Sequence, residues 1–176
     1  MHGRAMIIGV GGAAAVVAVT WAVGAVTGFG SFATAWTVHF AMMAWMSGLL
    51  DAARPGLRGD WFRVRAWEPG VYRRAGVWWY MRLLRAVGWE RLNRAGRRFD
   101  GTRESLPAFD LATRRSELAH LVLAAIGTVL VVVAVAFRSW GAAGWLAVLN
   151  VVLHCYPVLL QRAVRFRLQR LARVRT

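Results

Sequence analysis

Long apolar runs alternate along this chain with segments dense in arginine, and the alternation predicts its elements. Residues 5–26 carry no charged side chain, and a helix of that length crosses the ~30 Å hydrocarbon core of a bilayer. Residues 31–50 form a second uncharged run, set off from the first by Thr27, Gly28, Phe29 and Gly30, a composition that marks a tight turn. Glycine, threonine and His39 dilute this second run, so it is expected to be either a span or a re-entrant segment. A third run covers 117–137 and a fourth 140–160, with Arg138 and Ser139 at their junction. The expected fold class is all-α: one membrane domain over 1–176, a helical bundle of about four transmembrane helices.

The polar intervals are patterned too. Between the second and third runs, over 51–115, Trp61, Phe62, Trp67, Tyr72, Trp78, Trp79, Tyr80 and Trp89 are interleaved with arginine. That mixture suits amphipathic helices lying at the headgroup level. Residues 161–176 read as a basic tail in which Arg162, Arg165, Arg167, Arg170, Arg173 and Arg175 face anionic lipid. The first run follows Arg4 but is longer than a secretory signal core, and no cleavage region precedes the next apolar run. It is therefore expected to stay in the mature protein.

Composition agrees with this organisation. The chain is 58% hydrophobic yet carries a formal charge of +15, and 176 residues cannot enclose that much apolar surface in a soluble core. All 23 basic residues are arginine. Fifteen lie between the second and third runs and six after Leu160, so the positive-inside rule puts the long loop and the tail in the cytoplasm. An even number of spans then puts the N-terminus there as well, giving a multi-pass protein with both termini cytoplasmic. Aromatic and basic interleaving also occurs in nucleic-acid binders, but a tethered Arg/Trp surface is explained first by lipid, and no nucleic acid partner is expected. The single Cys155 excludes an intramolecular disulfide.

Candidate chemistry lies in the last two runs. Asn150, His154, Tyr156, Gln161 and Arg162 interrupt or close the fourth. Strongly polar groups inside a spanning helix cost roughly 2–3 kcal/mol each and are functional candidates by default. Glu117 and His120 are three apart at the head of the third run and share a helical face; a carboxylate beside an imidazole can fix its tautomer and raise its basicity. Counting inward at ~1.5 Å per residue puts His120 about 5 Å and His154 about 10 Å inside two antiparallel neighbours. His120, His154, Glu117 and Asn150 are thus expected to line one shallow pocket, with Pro157 kinking the helix beside it. Two histidines and a glutamate match zinc or iron ligand types, but no third and fourth positions are evident, so no metal is expected. His39 could join from the second run, but it is placed deeper and has no local partner. No nucleophile elbow, P-loop or dinucleotide fingerprint stands in a credible context.

These residues resemble the glycosyl-4,4'-diaponeurosporenoate acyltransferases, small bacterial membrane enzymes of staphyloxanthin-type carotenoid synthesis. One patch of likeness is Thr113-Arg114-Arg115-Ser116-Glu117-Leu118-Ala119-His120. The other runs from Asn150 through Pro157 to Gln161 and Arg162, with Arg165, Arg167 and Leu168 following. Glu68, Gly76, Val77 and Tyr80 match more faintly, and Tyr80-Met81 stands where the family more usually has tryptophan and a basic residue. The resemblance implies transfer of a fatty acyl group from an acyl-CoA-like thioester co-substrate, with no bound cofactor, to a hydroxyl of a lipid-like glycoside in a bacterial cell membrane. On that reading His120, oriented by Glu117, is the general base. Asn150 and His154 bind the developing oxyanion, with the two histidines able to exchange roles. Arg114, Arg115 and Arg162 hold the donor's phosphates, and Tyr156 and Gln161 contact substrate. The alternatives from other classes are a non-catalytic scaffold of a lipid-modifying complex and an isoprenoid isomerase or cyclase.

Overall fold

The computed structural model describes residues 2–88, 102 and 104–173. Among these the chain is all-α and contains no strand. In order come α1 (His2–Thr27), α2 (Phe32–Ala53), a 3-10 turn (Asp60–Phe62), α3 (Glu68–Arg74) and α4 (Val77–Ala86). They are followed by α5 (Leu106–Ala136), α6 (Trp140–Asn150), a π-helical turn (Val151–Cys155) and α7 (Tyr156–Arg173). Among the described residues three stretches are long and apolar enough to cross a membrane: Gly3–Thr27, Leu106–Ala136 and Trp140–Arg170. The 22-residue α2 has the length but is less apolar, so the count of about four spans rests on it.

One boundary departs from the hydropathy pattern. The third apolar run begins at Glu117, but its helix starts at Leu106 and carries Arg114 and Arg115 within it. Pro107 sits in its first turn, where a missing N–H is harmless, and nothing further on breaks the helix. The basic tail extends the fourth helix: α7 continues to Arg173. Trp89 and Arg175 lie outside the described residues.

The chain forms two compact units, Met1–Gly56 with Ala119–Cys155, and Leu57–Leu118 with Tyr156–Thr176. In the first, α1 and α2 form an antiparallel hairpin. Gly28 takes φ +86 in its turn, a backbone conformation that glycine adopts without strain. Ser31 then caps α2 by accepting from the Thr34 N–H at 3.2 Å. Lower down, the Trp45 indole donates to the Ile8 and Gly9 carbonyls at 3.2 and 3.1 Å. Ala35, His39, Met42, Met46 and Leu50 recur at three- and four-residue spacing and form the buried face of α2. By contrast, none of the apolar window of α1 is buried, and Ile7, Val10, Val17 and Trp21 face outward, a surface that lipid would cover. Helix α5 ends with Arg138 in the left-handed region, φ 56. There the Ser139 N–H reaches the Ala134 carbonyl and the Arg138 N–H the Val135 carbonyl, both at 2.9 Å. This double closure satisfies the last carbonyls and turns the chain sharply into α6.

The second unit has its own core. Val64, Tyr72, Val77 and Ala163 are buried together, with Leu159, Leu160 and Phe166 packed against them. Its rim is aromatic and basic: Trp61, Trp67 and Trp79 are exposed, and the Arg167 guanidinium lies 4.5 Å from the Trp78 ring.

Candidate functional site

Three imidazoles stand in a row inside the first unit. His39 Nδ1 and His154 Nε2 are 2.9 Å apart, and His154 Nδ1 and His120 Nδ1 are 3.4 Å apart. His39 Nε2 lies 3.3 Å from the Leu146 carbonyl. His39 and His154 are fully buried and His120 is half-buried. Each ring comes from a different helical segment: His39 from α2, His120 from α5 and His154 from the π-helical turn.

The local sequence explains the turn. Pro157 has no N–H to offer the carbonyl four residues back, that of Leu153. The helix widens to a π turn over Val151–Cys155, a form that recurs at functional sites. The Leu153 carbonyl thereby lacks the donor that a regular helix would place four residues on. The proline expected to kink the helix thus acts through its missing donor.

Asn150 is buried, and its amide NH2 donates to the Ala124 carbonyl at 3.1 Å and to Thr128 Oγ1 at 3.2 Å. Its side chain lies where a Cβ on Gly127 would stand. An oxyanion-binding role for Asn150 needs free donors, and both of its known contacts tie α6 to α5 instead, a use of asparagine familiar in membrane bundles.

Glu117 also departs from its expected role. It is fully buried in the second unit, accepting from Arg162 Nη1 at 2.7 Å and from Arg165 Nη1. Two guanidiniums offer charge-assisted bonds about twice as strong as neutral ones, so the carboxylate pairs with arginine rather than orienting His120. Arg162 is held in turn by Glu68, Nε to Oε2 at 2.9 Å and Nη2 to Oε1 at 3.0 Å. Arg165 is fully buried as well, donating to Thr113 Oγ1 and the Phe62 carbonyl, both at 3.2 Å. Glu68, Arg162, Glu117 and Arg165 form a chain of alternating charge. It clamps α3, α5 and α7 together, leaving Arg162 poorly placed for a donor phosphate.

The remaining candidates are accounted for individually. Arg114 donates to Asp110 Oδ2 at 2.7 Å and to the Leu57 carbonyl at 3.0 Å. Arg115 is half-buried on α5. Tyr156 stacks on Tyr80 with centroids 5.0 Å apart, and Gln161 donates to Ser116 Oγ at 3.0 Å. His39, Glu68 and Arg165 carry more of the architecture than their sequence context announces. For His39 the usable clue was the same cost of a polar group within an apolar run that singled out His154.

Glu68 lies outside the spans and titrates abnormally. Burial alone would raise its carboxyl, but hydrogen bonds from Arg162, Tyr72 and the Arg65 N–H overcome that and hold it at about 2. The same burial, with the carboxylate alongside, pushes the Tyr72 phenol above its ordinary range, so Tyr72 stays protonated and donates to Glu68. A lowered carboxyl stabilises the fold above its unfolded-state value and loses that contribution as pH falls through the folded one. Melting of the detergent-solubilised protein should therefore be flat in this contribution above about pH 5 and fall between about 4.5 and 2. Glu68→Gln should flatten that acid limb; an unchanged limb in Glu68→Gln would refute the assignment.

Among the described residues no group of three or more histidine, cysteine or acidic side chains is arranged to hold a metal ion; the imidazoles form a row rather than converge on a point. Residues 58–174 match the model of the glycosyl-4,4'-diaponeurosporenoate acyltransferase family. No curated protein and no solved structure matches the chain.

Proposed function

Because the chain belongs to the glycosyl-4,4'-diaponeurosporenoate acyltransferase family, we propose that it moves a fatty acyl group from a thioester donor to a hydroxyl of a glycosylated, lipid-like acceptor. His120 is the general base. Its ring is the half-buried end of the imidazole row, whereas His154 and His39 are fully enclosed; a base must reach the proton it removes. In the reaction the acceptor O–H proton passes to His120 while the oxygen attacks the thioester carbonyl carbon. The tetrahedral intermediate collapses with breakage of the C–S bond, and the departing thiolate takes the proton from His120. The observation that carries this assignment is the continuous contact of three imidazoles inside an apolar unit, where each ring would be costly without a partner.

The setting proposed is the bacterial cell membrane, with the arginine-rich segments on the cytoplasmic side, where soluble thioesters are made. Arg167 and Arg170 line a cavity of about 200 Å³ in the second unit with Trp78 and Phe166. They offer forks for the donor's phosphates that the clamped Arg162 lacks. Mass spectrometry of host lipids tests this reading: gene deletion should remove an acylated glycolipid, and wild type but not His120→Ala should restore it. An unchanged lipid profile on deletion would contradict acyl transfer and favour a scaffold.

A further inference from the structure

His39 lies outside the residues matched to the family, yet its ring faces a backbone group that can act in one way alone. The Leu146 carbonyl beside His39 Nε2 can only accept, so the His39 proton sits on Nε2. In a neutral ring Nδ1 is then a bare acceptor, and His154 Nε2 must donate to it across 2.9 Å. His154 Nδ1 is bare in turn, and His120 Nδ1 must donate to it across 3.4 Å. One arrangement of three protons satisfies all three contacts, and it leaves the lone pair of His120 on Nε2.

We infer that His39 is a positioning residue which orders the protons of the imidazole row, through His154, so that His120 presents Nε2 as its basic atom. The inference concerns proton order; its bearing on catalysis rests on His120 being the base. It also gives the row a use during turnover. When Nε2 takes the acceptor's proton, the Nδ1 proton can shift to His154 Nδ1 and the His154 Nε2 proton to His39 Nδ1. The positive charge then resides on His39, two rings away from the reacting atoms, and the shifts reverse when the thiolate departs. Fixing the tautomer of a catalytic imidazole is a known lever on rate, and the wrong tautomer can cost several orders of magnitude.

The test is nitrogen-15 spectroscopy of the histidine rings in the full chain in detergent micelles, where the shifts of the two ring nitrogens identify the protonated one. Wild type should hold His120 in the Nδ1–H form, the opposite of the form favoured by imidazole side chains in water. His39→Asn, whose amide oxygen can stand where Nδ1 stood, should keep that form. His39→Leu should lose it, with kcat lower by at least about tenfold and KM little changed. His120 found as Nε2–H in wild type, or still as Nδ1–H in His39→Leu, would overturn the proton order. Equal losses in His39→Asn and His39→Leu would also overturn it, reducing His39 to packing. Activity in His120→Gln addresses the base assignment separately: if retained, the base reading fails while the spectra still decide the order.

Discussion

Glu117→Leu is expected to destabilise the second unit by about 3–5 kcal/mol, enough to leave little folded protein. The carboxylate is fully buried between Arg162 and Arg165. Arg162 would survive the loss, because Glu68 still holds it at 2.9 and 3.0 Å. Arg165 would not: its next acid is Asp110 at 3.7 Å, and its Nη2 is already buried without a partner. A stranded buried guanidinium is what makes breaking such a pair costly, whereas replacing both partners with apolar groups is often neutral. Glu117→Leu combined with Arg165→Met should therefore recover most of the melting temperature. Thermal unfolding of the solubilised variants measures this; a single variant that melts like wild type would show that the clamp is not what holds α5 and α7.

The second large effect is chemical. His120→Gln should lower kcat for acyl transfer by about 10²- to 10⁴-fold, the usual range for a general base, with KM and melting temperature close to wild type. Glutamine keeps much of the volume and places its amide near the position of Nε2, but it cannot take a proton from an alcohol. The contrast with Glu117 is diagnostic. Were Glu117 the partner that tunes His120, its loss would lower kcat per folded molecule. With its oxygens on two arginines, its loss should lower the folded fraction, and the surviving molecules should turn over normally.

Much of this architecture could be read from the hydropathy pattern. Helical runs, the Thr27–Gly30 turn and the meeting of His120 with His154 all follow from periodicity and from the cost of polar groups in an apolar segment. Side-chain partners were less legible, and for physical reasons. Glu117 and His120 share a helical face, but face-sharing says nothing about competitors from elsewhere in the chain, and Arg162 and Arg165 supply stronger ones. His39 had no partner within its own helix because its partner lies 115 residues away, a pairing that only the packed first unit creates. The local sequence of Glu68 does not announce its partner, because only the packing of α3 brings it onto Arg162. In each case the residue type announced an unusual burden, and tertiary packing chose what relieves it.

The most direct measurement of the central claim uses the purified full chain in detergent with a long-chain acyl-CoA and octyl glucoside as probes, following ester and free thiol together. Acyl transfer predicts glycoside ester formed in step with thiol released, and the loss of both in His120→Gln. Thiol released with free fatty acid and no ester, or ester formed equally well by His120→Gln, would contradict the account.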